Sequence, residues 1–213
     1  MINVLIVDDH VLFREGVKLI INSTDDFRVT GEANNGMEAL NLINKNKYDI
    51  ILLDISMPGR NGLDVLKEIK RIDPDQHVLI LTMYSEKRYA LRAMKIGASG
   101  YLTKAGASEE LLNALKTIAS GEMYINSNVL SHLVFELRND DPKPEHERLS
   151  SRELQIMEMI VAGKRNKEIS EELALSISTV STYRSQILKK LHLKNNIEII
   201  QYAIEHQLFS KID

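Results

Sequence analysis

Five side chains stand where runs of aliphatic residues stop. Val4-Leu5-Ile6-Val7 runs into Asp8-Asp9, and Ile50-Ile51-Leu52-Leu53 stops at Asp54. Val78-Leu79-Ile80-Leu81 stops at Thr82, and Gly100-Tyr101-Leu102-Thr103 at Lys104. Brought to one edge, three carboxylates, a hydroxyl and an ammonium suit phosphoryl chemistry. The acids can hold a hard divalent cation through oxygen, Mg²⁺ with several waters retained. A carboxylate can then attack phosphorus and form an acyl phosphate. Lys104 would bind a phosphoryl oxygen as a point charge, and Thr82 would donate a hydrogen bond to the same group. Taken alone, Asp8-Asp9 is explained more simply by one Asp capping the next helix. The later strand ends supply the partners that change this reading.

The elements between these residues must bring them together. Unbroken aliphatic runs read as strands buried on both faces, the mark of a parallel sheet between helices. Residues 27–33 read as a further short strand. Between the strands lie segments of roughly helical apolar spacing. Residues 11–21 carry apolar positions 12, 13, 17, 20 and 21, and residues 63–72 carry 63, 65, 66, 69 and 72. Residues 37–43, 88–96 and 109–120 also read as helices. Five strand-helix alternations imply a parallel sheet with helices on both faces. The carboxyl ends of such strands form the ligand edge.

The 213 residues allow one large domain or two small ones. Hydrophobic content of 44% and charged content of 27% fit an ordinary globular protein. The sequence has no cysteine, which excludes disulfides, zinc-cysteine sites and a thiol nucleophile. No apolar run approaches the roughly 18 residues of a membrane span, so no membrane partner and a cytoplasmic location are expected. The net charge of −3 does not announce nucleic-acid binding, and charge must be read by segment.

Residues 1–122 resemble a bacterial response-regulator receiver domain. The resemblance rests on Asp8-Asp9, on Leu53-Asp54-Ile55-Ser56-Met57-Pro58-Gly59 with Gly62, on Leu81-Thr82, and on Gly97-Ala98-Ser99-Gly100-Tyr101-Leu102-Thr103-Lys104. It implies a flavodoxin-like α/β fold with a five-stranded parallel sheet in the order 2-1-3-4-5. It also implies that Asp54 is the phosphoacceptor, with Mg²⁺ held by Asp8, Asp9, Asp54 and the backbone carbonyl of Ser56. Thr82 and Tyr101 would be the switch pair, and Lys104 would contact the phosphoryl group. Two positions depart from the pattern. Ala105 follows Lys104 where many receivers have proline, so a cis peptide or local packing must fix that turn. Met83 follows Thr82 where a small residue is common; it either screens the phosphoryl group or packs against a neighbour such as Tyr101.

Residues 123–148 read as a connector. Positions 125, 129, 130, 133, 134 and 137 give a helical stripe. Residues 138–148 are polar with two prolines and no apolar residue, which predicts an exposed linker. Residues 149–213 read as all-helical. Ser150 and Glu153 have capping-box spacing, Gly163 ends the first helix, and residues 166–173 form a short second helix. A turn at 174–176 leads to a third helix from Ile177, with Ser176 as its cap. Asn195 or Asn196 caps a fourth, with Ile197, Ile200, Ala203 and Ile204 as its expected inward stripe. Two helices joined by a tight turn describe a helix-turn-helix. At 100° per residue, the third helix turns Val180, Tyr183, Ile187 and Leu191 inward. Ser178, Ser181, Thr182, Ser185, Gln186 and Lys189 face outward. From 177 to 194 there are four cations and no acid, a basic face that charge alone also explains as a solvated helix end.

Residues 149–206 resemble the LuxR-type helix-turn-helix domain, through Leu149-Ser150, Arg152-Glu153, Gly163, Asn166-Lys167-Glu168-Ile169, Leu173, Ser176, Thr179-Val180, Arg184, Ile187, Lys190-Leu191 and Glu198. The whole chain thus resembles the NarL/FixJ group of response regulators. This implies DNA contacts from Asn166, Lys167, Ser178, Thr179, Ser181, Thr182, Tyr183, Arg184, Ser185, Gln186, Lys189 and Lys190. Ser178 and Ser181 stand where lysine is frequent, and Tyr183 where histidine is. Modest direct readout is expected, with phosphate contacts and DNA shape carrying more of the binding. The implied partners are a sensor histidine kinase, double-stranded DNA bound as a homodimer, and RNA polymerase. Two rival functions remain at this point. One is a Mg²⁺-dependent phosphohydrolase, disfavoured because Ser56 stands where such enzymes place a second acid. The other is a constitutive DNA-binding protein using the receiver as a dimer scaffold, which would need none of the five strand-end residues.

Overall fold

The computed structural model describes residues 1–83, 87–125, 130, 144–206 and 208–209. The chain divides into two compact units, Met1–Asn139 and Asp140–Asp213.

In the first unit, strands β1 (Ile2–Val7), β2 (Phe27–Ala33), β3 (Ile50–Leu53), β4 (His77–Thr82) and β5 (Gly100–Thr103) form one sheet. Every pairing is parallel and the order is β2-β1-β3-β4-β5. The helices are α1 (Val11–Asn22), α2 (Gly36–Lys45), α3 (Gly62–Ile72), α4 (Lys87–Ile96) and α5 (Ala107–Ala119). Alternate strand residues serve opposite faces. Val4, Ile6, Ile50, Leu52, Leu79 and Leu81 form one core with Val17 and Ile21 of α1 and Leu111, Leu115 and Ile118 of α5. Leu5, Val7, Ile51, Leu53, Val78 and Ile80 are equally buried on the other face, where α2, α3 and α4 pack in series. Each such side chain stabilises the fold by about 1.5–3 kcal/mol. That is why aliphatic runs, rather than alternating ones, mark these strands.

Two details of this unit differ from expectation. Leu12 is 89% exposed, and α1 turns Val17 and Ile21 inward, because Leu12 lies about 140° around the helix from Val17. Tyr124, within the segment expected as connector, is also tied to the edge of the sheet. Tyr124 bridges to Gly100 in parallel fashion. Tyr101 N–H donates to the Tyr124 carbonyl (3.1 Å), and Tyr124 N–H donates to the Ser99 carbonyl (2.9 Å). The phenol donates to Glu110 on α5 at 2.5 Å. Burial and this carboxylate push the phenol pKa up to about 12. A Cβ on Gly100 would meet the Tyr124 carbonyl oxygen at 2.8 Å, so glycine is required there. Apart from Ile125 and Leu130, the helix expected over 125–137 lies outside the described residues.

The second unit holds α6 (Ser151–Val161), α7 (Asn166–Glu172), α8 (Ile177–Lys190) and α9 (Asn196–Glu205). Its caps follow the sequence. Ser150 and Glu153 form the capping box, Ser176 accepts from Thr179 N–H, and Asn195 accepts from Glu198 N–H. Gly163 takes the left-handed conformation after α6, and Ala174 takes it in the turn between α7 and α8. Val180 and Ile187 of α8 and Leu191 at its C-terminal cap are buried as expected, whereas Tyr183 is only half-buried.

Two expectations need correction here. Glu145–Arg148 is a short 3-10 turn rather than exposed linker. His146 within it is buried, with Nδ1 3.1 Å from the Tyr202 hydroxyl and its ring edge-on to the tyrosine. A polar residue found a polar partner, which an apolar pattern does not register. In α9 the inward residues are Ile199 and Ala203, while Ile197 and Ile204 are each 68% exposed. The helix carries two apolar stripes, and packing against α6 selects the one at 199 and 203.

Candidate functional site

The parallel register brings the ends of β1, β3, β4 and β5 to one edge. Asp8 N–H donates to the Ala33 carbonyl and Asp54 N–H to the Val7 carbonyl, so both acids leave their strands in step. Asp8, Asp54, Thr82 and Lys104 are buried, at 2%, 1%, 0% and 8% exposure. Lys104 Nζ lies 2.6 Å from Asp8 Oδ2 and 2.6 Å from Asp54 Oδ2. It also sits over the Phe13 ring, 4.7 Å from the centroid. Asp54 Oδ1 accepts from Ser56 N–H at 3.1 Å, which folds the loop back on the carboxylate. Asp9 is partly exposed, yet its Oδ1 is buried, with His10 Nδ1 3.1 Å away.

Electrostatics follow from this packing. Burial pushes the Asp54 carboxyl above its ordinary value, and the Lys104 ammonium offsets part of that. Burial acts against the Lys104 charge, but Asp54 and Asp8 outweigh it and hold the ammonium above the usual lysine range. Asp8, Asp9 and Asp54 against one ammonium leave an excess of two negative charges. A divalent cation would neutralise that excess, and the carboxylate oxygens of Asp8, Asp9 and Asp54 lie close enough together to share one. The donor set therefore fits such an ion. The residue that sequence reasoning passed over is His10. Its Nδ1 lies 3.2 Å from Asp8 Oδ1 and 3.1 Å from Asp9 Oδ1, and its N–H donates to Asp8. Its position directly after the two acids was the available signal.

Tyr101 pairs with Ile80 and Thr103 with Thr82 across β4 and β5. Thr82 and Tyr101 thus share one face of the sheet, and Tyr101 is 5% exposed. Among the described residues no peptide bond is cis. The turn after Lys104 is a 3-10 turn, Lys104–Gly106, closed by Ala107 N–H on the Lys104 carbonyl. Met83 is 70% exposed rather than buried against Tyr101.

In the second unit, Ser178, Thr182, Ser185, Gln186 and Lys189 are exposed on α8, with Thr179, Ser181 and Tyr183 half-buried. Ser178, Thr179, Thr182, Tyr183 and Gln186 line a shallow groove along the helix. Asn166 Nδ2 donates to Ser181 Oγ at 3.2 Å and ties α7 to α8. Lys167 is exposed, 4.0 Å from Glu171. Two expected DNA contacts have other partners. Arg184 Nε donates to Asn196 Oδ1 at 2.6 Å. Lys190 Nζ lies 2.6 Å from Glu153 Oε2, which is buried and also accepts from Ser150 N–H. Burial works against the Glu153 charge, but these donors hold its carboxyl below the usual range.

Comparison with known proteins follows the same division. Residues 4–116 match the response regulator receiver domain, and residues 147–203 match the bacterial regulatory proteins of the luxR family. The chain belongs to the NarL/FixJ-type response regulators. It is 38% identical over 209 residues to response regulator UvrY of Escherichia coli K12, spanning 98% of this chain and 96% of that one. It is 35% identical over 212 residues to the oxygen regulatory protein NreC of Staphylococcus carnosus, spanning 96% and 98%. Among solved structures it resembles RcsB of Salmonella enterica serovar Typhimurium bound to promoter rprA with the phosphomimetic BeF3−. That likeness has a TM-score of 0.64 at 26% identity, over 94% of this chain and 97% of that one. This response regulator therefore joins a receiver to a LuxR-type DNA-binding domain. Among its described residues no helix is long and apolar enough to cross a membrane.

Proposed function

We propose that Asp54 accepts a phosphoryl group from a sensor histidine kinase and that this modification governs binding of α8 to DNA. The observation that carries the reading is the Lys104 ammonium, 2.6 Å from both Asp8 and Asp54 in a buried pocket with excess negative charge. Asp8, Asp9, Asp54 and the Ser56 carbonyl would hold Mg²⁺ in this pocket, and the ion would supply charge neutralisation to the phosphoryl oxygens. An Asp54 carboxylate oxygen forms the O–P bond as the N–P bond of the donor phosphohistidine breaks, and the imidazole leaves. Lys104 then pairs with a phosphoryl oxygen in place of the Asp54 carboxylate. The new group brings a charge close to −2 at pH 7. Thr82 donates to it from β4, which opens room on the same face for the Tyr101 ring to turn. Ser56, rather than an acid, two residues after Asp54 supports a switch over a turnover hydrolase.

DNA binding as a homodimer completes the reading. Ile197, Ile200 and Ile204 share one face of α9, and the 68% exposure of the outer two leaves apolar area for a second copy of the chain. The chain acts in the cytoplasm, where its DNA is, and RNA polymerase is its downstream partner. The test uses acetyl phosphate and Mg²⁺ on the wild type and on Asp54→Ala. Intact mass reports modification, and a DNA site selected from a random library reports affinity. One phosphoryl group on the wild type alone, with tighter DNA binding, is expected. An unmodified wild type, or equal DNA affinity in both forms, removes the switch.

A further inference from the structure

The hydroxyls of α8 have directions. Thr182 Oγ1 donates to the Ser178 carbonyl at 3.0 Å, and Ser185 Oγ donates to the Ser181 carbonyl at 3.0 Å. A hydroxyl carries one proton and two lone pairs. With the proton committed to the helix backbone, what each of these exposed groups offers outward is an acceptor. Turning it into a donor first breaks the backbone bond. Ser178 Oγ lies 2.7 Å from Ser176 Oγ in the capping cluster.

The cations of the helix are placed just as unevenly. Arg184 is anchored to Asn196 and Lys190 to Glu153. The other cation of α8 is Lys189, in the last turn. The groove along the first turns is instead lined by Ser178, Thr179, Thr182, Tyr183 and Gln186. In the major groove guanine shows two acceptors, N7 and O6, matched by Arg or Lys donors. Adenine shows an N6 donor beside an N7 acceptor, which a glutamine amide matches at both atoms, and cytosine shows an N4 donor.

We propose that α8 reads adenine through its N6 amino group, by way of Thr182, Ser185 and Gln186, and leaves guanine N7 unread. This inference rests on the DNA-binding reading above and narrows it to one hydrogen-bond polarity. Gln186 complements both N6 and N7, and the Thr182 methyl suits the thymine methyl of an adjoining A·T pair.

The experiment uses the full chain after acetyl phosphate and Mg²⁺, with a DNA site selected from a random library. Each adenine is exchanged in turn for purine, which lacks the 6-amino group, and each guanine for 7-deazaguanine. Affinity is read by fluorescence anisotropy at fixed salt. At one or more adenines, purine is expected to weaken binding by about fivefold to 150-fold, while 7-deazaguanine changes it less than about threefold. Thr182→Val and Gln186→Ala, each with an unchanged melting temperature, are expected to abolish the purine penalty at one position apiece. A tenfold loss with 7-deazaguanine, no loss with purine, or variants that keep the full purine penalty would overturn the proposal and leave DNA binding intact. A chain that binds no DNA at low salt overturns the DNA-binding reading itself.

Discussion

Gly62→Ala is the sharpest test of how Asp54, the proposed phosphoacceptor, is held. Gly62 opens α3, and its N–H donates to the Ile55 carbonyl at 2.9 Å. A Cβ there would meet the Asp54 carbonyl oxygen at 1.9 Å, and the Asp54 carbonyl carbon and Ile55 Cα at 2.8 Å. All three atoms are backbone, so no rotamer relieves the overlap. Ordinary contact begins at 3.4 Å, so helix and strand end must separate by about 1.5 Å. Overpacking a filled core costs about 1–3 kcal/mol, and a shift this large belongs at the upper end. The same shift moves the carboxylate that Lys104 holds at 2.6 Å. Misplacement of reacting groups by about 1 Å slows a reaction about 100-fold. Urea unfolding should therefore lose about 3 kcal/mol, and an intact-mass time course with acetyl phosphate and Mg²⁺ should slow about 100-fold. Gly16→Ala is the control, because a Cβ there meets nothing within 4 Å and a helical alanine stabilises by up to about 1 kcal/mol. Wild-type stability and wild-type phosphorylation in Gly62→Ala would refute the packing argument.

Three further outcomes are expected. The raised Asp54 pKa means that its proton stabilises the fold below the unfolded carboxylate value, near 4, and that this contribution disappears as pH rises through the folded value. Asp54→Asn lacks that loss, so its stability relative to wild type should be greater at pH 7.5 than at pH 4 in urea titrations; a constant difference would contradict it. Lys190→Met strands the buried Glu153 carboxylate and should cost about 1 kcal/mol, held low by the half-exposed ammonium. Glu153, with its depressed pKa, stabilises above the unfolded carboxylate value and loses this as pH falls; the variant should lack that acid-side loss and keep the wild-type salt slope for DNA. A reduced slope would make Lys190 a phosphate contact. Ala174→Gly should raise the melting temperature, since a left-handed residue with a Cβ costs about 1–2 kcal/mol and the entropy of glycine returns part of it; an unchanged or lower value would count against strain at this turn.

The sheet and the meeting of its strand-end side chains were legible because each buried strand is an aliphatic run ending in a chemically distinct residue. Burial on both faces writes itself into composition, and the parallel alternation fixes which ends meet. What escaped depends on a single contact or on a choice between equal patterns. Tyr124 joins β5 through two backbone bonds, which leave no periodic trace. The two apolar stripes of α9 are alike in pattern until α6 covers the one at 199 and 203. Arg184 and Lys190 look like free cations in sequence, and only the fold brings Asn196 and Glu153 to them. His146 sits in a segment without apolar residues, where burial is unexpected until Tyr202 stands beside it.

The Tyr124 bridge bears on how copies of the chain meet. An outer strand with unpaired backbone groups is a template for uncontrolled sheet extension. At β5 the Ser99 carbonyl and the Tyr101 amide are bonded to Tyr124, so an incoming strand finds those groups taken. At the opposite rim, β2 exposes Arg28 and its pairing with β1 shifts register between Val4 and Leu5, a charged and irregular edge that resists the same pairing. Neither rim invites fibrillar stacking. A second copy meeting this unit would do so through side-chain surfaces, whose fit, unlike that of a backbone ladder, depends on the charges they carry.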